Sequence, residues 1–365
     1  MNKHKDCKVT IILGGQAGSE GKGKFAGYLA IHDKMDLSIC NFMPNAGHTW
    51  VSNDGRKIMV QQLPQAVVNP DTLLGMSAGG AIELDILMSE LDANKAHRRF
   101  MIHPNTMVIT DKHRQAEAEA LGRISSTLKG CGYATADKAV RGKDVRLAKD
   151  VPELAKYVHS NWYEDIHTLM EQFGVNVLIE APQGYDLDIN HGLEYPYCTS
   201  RQTTSAQAIA DAGIPPQYVD EVIAVIRPYP IRVGNVVNEK GEMVGYSGGY
   251  RGAEEISWEV VAERSGTPRE EITELTTVTK KLRRVFEPHW ERLREMCRVN
   301  GVTQIALNFA NYIDYSIYGK NSVDDITDKV WEFIYRVERE TGVPVTLIGT
   351  GPKDQDIIDL RNINC

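Results

Sequence analysis

The chain has 365 residues, and its 41 Lys and Arg against 49 Asp and Glu give a formal net charge of −8. This acidic balance argues against general binding to nucleic acid or to an anionic membrane, so any anion site has to be local. The six cysteines are scattered without a C-x-x-C pair, which predicts reduced thiols and no structural zinc. The N-terminus is polar, and no apolar run approaches the roughly 20 residues that span a bilayer, which predicts a cytoplasmic protein.

A glycine-rich stretch near the start, residues 14–24, lies between the apolar run of residues 9–13 and the helical pattern of residues 25–30. Strand, glycine loop and helix in this order point backbone N–H groups and a helix N-terminus at an anion. Five residues separate Gly15 from Gly21, one more than in the usual phosphate loop. We predict phosphate binding at this stretch rather than a plain turn.

Strand-like and helical patterns alternate along the rest of the chain, without a repeat or a linker. We therefore predict an α/β fold with a mostly parallel central sheet, in a single domain over residues 1–365 with loop and helical excursions. Apolar residues at helical spacing predict one helix from Leu154 to a stop at Gly174 and another from Ile326 to a stop at Gly342. Further strands are predicted at residues 37–42, 175–179, 222–226, 302–307 and 345–348.

Loops at the carboxyl ends of parallel strands bind ligands in such folds, and several here carry suitable groups. In residues 45–49, Asn-Ala-Gly-His-Thr, His48 can donate a proton to a transferring oxygen, although a lone histidine in such a loop is more often structural. The Gly47 carbonyl can reach the Mg²⁺ ion that nucleotide phosphates require. The hydroxyls of residues 125–132 suit a monophosphate, and a plain surface turn is equally compatible. Gln183 can both donate to and accept from a purine edge.

Two basic features are also candidates. Residues 276–284 place four cations and three hydroxyls in nine positions without an acidic partner, which suits a mobile clamp on a carboxylate or phosphate. Arg141 lies in another basic stretch, where a solvated charge is the simpler interpretation unless a ligand or another subunit meets it. Near the end, residues 349–352, Gly-Thr-Gly-Pro, resemble a loop that contacts a base or ribose.

Together these motifs resemble the adenylosuccinate synthetase family, in order and over nearly the whole chain. The resemblance is carried by the glycine loop at 14–24, Asn-Ala-Gly-His-Thr at 45–49, residues 181–184, Tyr-Pro-Tyr-Cys-Thr-Ser at 195–200, Arg-Val-Gly at 232–234 and Thr-Gly-Pro at 350–352. It implies a mostly parallel sheet with a phosphate-loop-like nucleotide site, and a homodimer.

The family couples L-aspartate to the 6-position of a purine monophosphate in two steps. An aspartate in the glycine loop removes the N1 proton while a nucleoside triphosphate phosphorylates O6, and the aspartate amine then displaces phosphate. The resemblance implies catalytic roles for His48, Lys22 and the position of Ser19, with Mg²⁺ held at Ser19 and Gly47.

The resemblance also implies three sets of binding residues. The triphosphate set is Ser19, Gly21, Lys22, Gly23, Lys24, Gly47, His48, Thr49, Arg283, Asn308, Asn311, Gly349, Gly351 and Pro352. The monophosphate set is Ser19, Asn45, Ala46, Thr127, Lys129, Gln183, Thr199, Val233 and Gly234, with Arg141 reaching in from the neighbouring subunit. The aspartate set is Thr277, Val278, Thr279, Lys281, Arg283 and Arg284.

Three departures from the family pattern bear on the substrates. Ser19 stands where the family has its catalytic aspartate, and a positioned base typically contributes about 10²–10⁴-fold. Asn311 replaces a guanine-reading aspartate, and an amide, which donates as well as accepts, predicts ATP or dATP in place of GTP. Lys281 replaces an arginine that reaches both substrates, which leaves its role open.

This combination resembles the bacteriophage branch of the family, the 2-aminoadenylosuccinate synthetases, which condense dGMP with L-aspartate. We predict this reaction, in the host cytoplasm if a phage encodes the protein, because Ser19 leaves room for a purine 2-amino group. The alternatives are an ordinary synthetase that uses IMP, a nucleotide-binding module without catalysis, and a phosphate-loop kinase or ATPase.

Overall fold

The structure, a computed structural model, describes residues 7–121, 124, 126–238, 240, 242–275 and 282–361. Its strands are β1 (Val9–Gly14), β2 (Leu37–Cys40), β3 (His48–Val51), β4 (Lys57–Val60), β5 (Leu73–Met76), β6 (Ala81–Ile82), β7 (Phe100–Ile102), β8 (Met107–Val108), β9 (Val177–Glu180), β10 (Val219–Ile226), β11 (Ile231–Arg232), β12 (Val236–Val237), β13 (Met243–Gly245), β14 (Glu255–Ile256), β15 (Arg284–Phe286), β16 (Gln304–Leu307), β17 (Val345–Gly349) and β18 (Ile357–Asp359).

Helices connect most of these strands. The α-helices are α1 (Lys22–His32), α2 (Leu84–Ala93), α3 (Asp111–Leu121), α4 (Cys131–Ala139), α5 (Trp162–Phe173), α6 (Ser205–Ala212), α7 (Trp258–Ser265), α8 (Arg269–Ile272), α9 (Trp290–Asn300) and α10 (Asp328–Thr341). Short 3-10 turns lie at Gln65–Val68, Ala148–Asp150, Pro152–Leu154, Tyr185–Leu187, Pro216–Tyr218, Ala310–Tyr312, Tyr315–Ile317 and Val323–Asp325.

Nine strands of the described residues form the central sheet, in the order β18-β17-β16-β10-β1-β9-β2-β5-β7. Their pairings are parallel, and β18 alone joins its neighbour β17 antiparallel. The predicted α/β fold with a mostly parallel sheet is thereby confirmed. The remaining strands form small sheets beside it, β11-β15-β14, β12-β13, β3-β4 and β6-β8.

Strand β1 lies near the middle of the sheet, between β10 and β9, and every one of its residues is buried. Its continuous apolar run is what a strand covered on both faces requires. Ile11 and Leu13 pack into the core on one face, whereas Ile12 packs against Phe25 and Leu29 of α1 on the other. Helix α1 therefore follows directly from the glycine loop and lies back on the strand that precedes it.

The carboxyl ends of the parallel strands bring the candidate loops to one edge of the sheet. The glycine loop follows β1, residues 41–47 follow β2, residues 181–184 follow β9, Arg227 follows β10, Asn308 follows β16 and Thr350 follows β17. This is the edge at which ligands bind in open α/β sheets.

One predicted helix begins later than its apolar pattern indicates. The structure forms α5 over Trp162–Phe173, and the predicted helical course from Leu154 onward is wrong. The Ile102 N–H donates to the Tyr157 carbonyl at 2.7 Å, and Val158 forms a parallel bridge with Ile102. The segment is therefore a 3-10 turn at Pro152–Leu154 followed by further turn residues and a single bridge at Val158, with its apolar side chains packed beside β7.

The other boundaries agree more closely with the sequence. Gly174 and Gly342 end α5 and α10 in the left-handed conformation, with φ of 63° and 73°, as a glycine can without a Cβ penalty. The second predicted strand is shorter than its apolar run, because β2 ends at Cys40 and residues 41–47 turn away from the sheet. None of the helices in the described ranges has the length and apolar character needed to cross a membrane.

A close contact between α1 and β3 predicts a sensitive position. A Cβ added at Gly27 would lie 2.4 Å from Trp50 Cδ1, so Gly27→Ala should lower the free energy of unfolding by about 1–3 kcal/mol through overpacking. Denaturant titration measures the change. Gly142→Ala is the control, since its Cβ would come no closer than 3.4 Å to the Asp137 carbonyl. Equal stability of the two variants would contradict this account of the packing.

Candidate active site

The glycine loop is held in shape by one buried carboxylate. Glu20 Oε1 accepts hydrogen bonds from the backbone N–H groups of Gln16 (3.0 Å) and Gly18 (2.8 Å). Burial raises the pKa of Glu20, which indicates how strongly its carboxylate is withdrawn from water. Ser19 lies exposed at the tip of the loop with a φ of 61°, a left-handed conformation that is uncommon for a residue with a Cβ.

A second set of contacts joins the loop to the end of β10. The Gln16 side-chain amide donates to the Arg227 carbonyl at 3.0 Å and accepts from the Arg227 N–H at 2.9 Å. The Arg227 guanidinium in turn donates to the Ser19 carbonyl at 3.2 Å. The tip of the loop is therefore fixed from the neighbouring strand as well as from within.

His48 is held on two sides by buried groups. Its ring stacks on Phe42 with the ring centres 4.1 Å apart and the planes 8° from parallel. Lys22 Nζ lies 3.4 Å from His48 Nδ1. Burial first, and the charge of Lys22 second, lower the pKa of His48 well below its usual value, so the imidazole is neutral at neutral pH.

This arrangement selects one tautomer of His48. Burial lowers the pKa of Lys22, and the charges of Glu180 and Glu20 oppose that shift. With Lys22 as an ammonium, which has only N–H donors, Nδ1 accepts and Nε2 carries the ring proton. His48 can therefore donate a hydrogen bond or proton through Nε2. The sequence pointed to His48 and Lys22, but it gave no signal for the supporting ring of Phe42, because a phenylalanine after a strand is ordinary core composition.

Asn308, a predicted contact of the triphosphate, lies between two glycines of the site. A Cβ added at Gly21 or at Gly349 would come within 2.1 Å of the Asn308 side-chain amide. That amide donates to the Glu20 carbonyl at 2.8 Å. The structure thus brings Gly21, Asn308 and Gly349 together, and the amide of Asn308 supports the start of α1.

Lys24 also contacts the backbone of the last predicted loop. Its Nζ donates to the Gly351 carbonyl at 2.7 Å and to the Asp356 carbonyl at 2.6 Å. Burial lowers the pKa of Lys24 to about 7. Two of its three donors are engaged in joining α1 to residues 351–356.

Among the other predicted triphosphate contacts, Asn311 is buried in the turn that follows β16, whereas Pro352 is exposed.

A cavity of about 360 Å³ opens beside the glycine loop. Five residues of the predicted monophosphate set line it: Asn45, Thr127, Gln183, Thr199 and Val233. Within the described chain, Thr199 Oγ1 and Arg232 Nε are buried without a hydrogen-bond partner, and both residues line this cavity. A buried polar atom without a partner costs about 1–3 kcal/mol, so this wall is built to receive polar groups of a ligand.

Other members of the monophosphate set lie outside the lining of the cavity. Ser19 is two residues from Ala17, which lines it, whereas Ala46, Lys129, Arg141 and Gly234 are not in its described wall. Arg141 is exposed beyond the end of α4 with a φ of 57°. Its predicted contact with the site of a neighbouring subunit stays a prediction.

Part of the predicted aspartate segment lies outside the described residues, namely Thr277, Val278, Thr279 and Lys281. Its flanks meet in an antiparallel bridge between Leu275 and Leu282. Arg283 Nη1 donates to Glu274 Oε2 at 2.7 Å. Arg284 is paired with Glu255 through two hydrogen bonds of 2.9 and 2.5 Å, so its guanidinium already has a carboxylate partner.

The residues near the loop suit Mg²⁺ bound through phosphates. Among the described residues, no group of three or more His, Cys, Asp or Glu side chains could hold a metal ion. Ser19 and Gly47 are both exposed and offer oxygen donors, which Mg²⁺ prefers. Mg²⁺ commonly takes one or two protein ligands and completes its shell with phosphate oxygens and water, so this sparse donor set fits it.

Comparison with known proteins places this site in a family. The model of the adenylosuccinate synthetase family matches residues 11–151 and 146–317. The chain belongs to the adenylosuccinate synthetase family. The adenylosuccinate synthetase of Methanocaldococcus jannaschii is 36% identical over 369 residues, covering 99% of both chains. That of Methanococcus vannielii is 37% identical over 360 residues, covering 97% of this chain and 99% of its own.

Two solved structures of this family share the fold. The succinoaminodeoxyadenylate synthetase of cyanophage S-2L, bound to dGMP and to dATP as an energy donor, superposes with a TM-score of 0.81 and 30% identity, over 98% of this chain and 96% of that one. The fully ligated adenylosuccinate synthetase of Plasmodium falciparum superposes with a TM-score of 0.80 and 20% identity, over 96% of this chain and 99% of that one. The predicted resemblance to the family, and to its phage branch, is confirmed.

Membership of the adenylosuccinate synthetase family establishes the general activity. The protein is a carbon–nitrogen ligase of purine nucleotide biosynthesis that acts on small nucleotide substrates. The family uses a nucleoside triphosphate and Mg²⁺.

The environment of His48 predicts its titration. Because its pKa lies well below 6.5, the ring should remain neutral as the pH falls through 6.5, and protonation should occur only in more acidic solution. An NMR titration of the imidazole C–H resonance, assigned by its loss in His48→Asn, measures this. As the pH falls from 6.5 towards that lower pKa, the unfolded chain binds a proton that the folded chain does not, so stability should fall over this range. A midpoint near 6.5 would contradict the assignment of a neutral donor.

Proposed function

We propose that this synthetase condenses dGMP with L-aspartate at the expense of ATP. The products are 2-amino-2′-deoxy-N6-succinyladenylate, ADP and phosphate, and the intermediate is the 6-phosphoryl nucleotide. Such a product serves the synthesis of 2-aminoadenine DNA in a phage. The proposal includes a homodimer in which Arg141 reaches the neighbouring monophosphate site, and a location in the cytoplasm of the host cell.

The single observation that carries the proposal is the identity and exposed position of residue 19, a serine. Ser19 is exposed at the tip of a glycine loop that Glu20 and Arg227 hold in place, beside the cavity lined by Gln183. An aspartate at this position would project a carboxylate from a fixed backbone, whereas serine leaves that volume open. The extra 2-amino group of a guanine base needs such volume next to N1. The cyanophage relative, whose structure holds dGMP, supports this interpretation.

The chemistry proposed for the first step uses His48 and Lys22. The γ-phosphoryl group passes from ATP to O6 of the purine, while the N1 proton leaves the ring. His48 Nε2–H can donate to the oxygen that gains negative charge, and Lys22 at the start of α1 places a positive charge beside the transferring phosphates. Bound Mg²⁺ would neutralise phosphate charge, with Ser19 and Gly47 as its protein ligands. In the second step the aspartate amine attacks C6, and phosphate leaves.

The acceptor of the N1 proton is the least conventional part of this proposal. Glu20, the nearest carboxylate in the sequence, is buried and bonded to two backbone N–H groups, so it supports the loop instead of facing the base. We propose that the Ser19 hydroxyl relays the proton to water. The buried positive charge of Lys22 would favour the purine anion that results.

The proposed phosphoryl donor is ATP or dATP, on the basis of Asn311. This residue is buried in the 3-10 turn that follows β16, at the edge of the sheet where the triphosphate residues gather. Its amide can donate to adenine N1 and accept from the 6-amino group. The dATP in the cyanophage structure agrees with an adenine donor.

The alternative substrate is IMP. The archaeal relatives at 36 and 37% identity are adenylosuccinate synthetases, and they match the chain over almost its whole length. The replacement at residue 19 favours dGMP over this alternative, because an IMP-using enzyme of this family relies on a carboxylate there.

The substrate test compares dGMP, GMP and IMP with L-aspartate and ATP, and it identifies the product by mass. We expect dGMP to give the succinylated product with the highest kcat/KM. Ser19→Asp should reverse the preference, since the carboxylate fills the space beside N1 and supplies a base worth about 10²-fold with IMP. Ser19→Ala is the control and should not improve turnover of IMP. Preferred turnover of IMP by the unaltered enzyme would refute the proposal.

The donor test uses Asn311→Asp. A carboxylate accepts from guanine N1–H and its 2-amino group but repels adenine N1, so the ratio of kcat/KM for GTP over ATP should rise by about 10- to 100-fold. Asn308→Asp adds the same charge three residues earlier, directly after β16, but the Asn308 amide donates to the Glu20 carbonyl, so we expect lower activity with both donors. An unchanged GTP to ATP ratio in Asn311→Asp would remove Asn311 from base recognition.

A further inference from the structure

A buried carboxylate outside the predicted site residues joins three parts of the active site. Glu274 accepts hydrogen bonds from Arg227 (2.5 Å), Arg283 (2.7 Å) and the Tyr312 hydroxyl (2.9 Å). Its side chain is only 14% exposed, and that of Arg227 is fully buried. Although burial raises the pKa of Glu274, the charge of Arg227 leads the opposing contributions, and the net pKa is lowered, so Glu274 is ionised at neutral pH.

Each of the three donors belongs to a different functional element. Arg227 follows β10 and donates to the Ser19 carbonyl of the glycine loop. Arg283 is itself one of the residues predicted to bind aspartate, and its N–H also donates to the Glu274 carbonyl at 2.9 Å. Tyr312 ends the 3-10 turn that carries Asn311. One carboxylate therefore fixes the positions of the loop tip, both flanks of the aspartate segment and the turn of the triphosphate site.

The backbone of Ser19 explains why this connection matters. A left-handed conformation costs a residue with a Cβ about 1–2 kcal/mol, and the hydrogen bond from Arg227 to the Ser19 carbonyl helps to hold it. A guanidinium buried as deeply as that of Arg227 is stable in place only beside a counter-charge. Glu274 is that counter-charge, and the Phe309 ring covers the guanidinium at 4.3 Å.

We propose that Glu274 is a positioning residue of the synthetase reaction, which aims Ser19 through Arg227 and keeps the ends of the aspartate segment together. Loss of its negative charge leaves Arg227 without a partner and releases the Ser19 carbonyl. This inference rests on the proposed role of the Ser19 hydroxyl, but it does not depend on which purine monophosphate is the substrate.

The test measures kcat and KM of Glu274→Gln, with the purine monophosphate that the unaltered enzyme turns over fastest. The amide keeps the shape but removes the charge, so we expect kcat to fall by about 10- to 100-fold, as small misplacements of reacting groups do. The KM of the monophosphate should stay within about 3-fold, because the described side-chain hydrogen bonds to Glu274 come from Arg227, Arg283 and Tyr312, none of which lines the monophosphate cavity.

Glu295→Gln is the matched control. Glu295 also accepts from an arginine and a tyrosine, Arg292 at 2.7 Å and Tyr185 at 3.1 Å, but its described hydrogen bonds do not reach the glycine loop. We expect its kcat to stay unchanged. If Glu274→Gln does not fold, Tyr312→Phe removes a single hydrogen bond to the same carboxylate and should lower kcat several-fold without raising the KM of the monophosphate.

A double-mutant cycle of Glu274→Gln with Ser19→Ala distinguishes failure of the inference about Glu274 from failure of the proposed role of Ser19. If Glu274 acts by aiming the Ser19 hydroxyl, Glu274→Gln should cost much less in kcat when that hydroxyl is already absent. An equal loss in both backgrounds, or a loss no larger than that of Glu295→Gln, would overturn the inference. Unchanged kcat in Ser19→Ala alone would instead refute the proposed role of Ser19, which is a different outcome.

Discussion

The active site depends on the fixed backbone of the glycine loop between β1 and α1. Glycines give the loop its shape, but they also make it costly to order, so its conformation has to be stabilised by other groups. Glu20 does this from within the loop, and the Gln16 amide does it across the gap to Arg227. Because both anchors are buried, the exposed tip can present Ser19 and the start of α1 in one orientation.

Because the loop backbone is fixed, the effect of a single side-chain replacement on the site can be read directly from the size and charge of the new side chain. Where the backbone cannot shift, replacing an acid by an alcohol alters volume and charge at one place and little else. In the proposed site, His48 and Lys22 match the motifs of the family resemblance, whereas residues 19 and 311 depart from them. The proposed roles divide in the same way: His48 and Lys22 handle phosphates, and residues 19 and 311 bear on the purine bases.

Much of this could be predicted from the sequence, because the relevant signals are local. Strand β1 is predicted by its own apolar run, and the glycine loop by its own composition. The ends of α5 and α10 are predicted by the glycines that follow them. The segment at Tyr157 was misassigned because its partner, Ile102, is 55 residues away and no local pattern reveals it. The role of Glu274 likewise depends on Arg227 and Tyr312, which are 47 and 38 residues away. Phe42, by contrast, is close to His48 in sequence but gives no signal, because a phenylalanine after a strand is ordinary core composition.

The stacked geometry of His48 has a consequence for the catalytic cycle. Rotating the ring by half a turn about Cβ–Cγ would keep its plane on Phe42 but would move Nδ1 away from Lys22 Nζ, so the Lys22 contact favours one of the two ring orientations. An imidazole held in one orientation does not carry a proton from one side of the site to the other by turning. In the proposed mechanism, a proton that Nε2 gives up during phosphoryl transfer therefore has to return to the same atom before the next turnover.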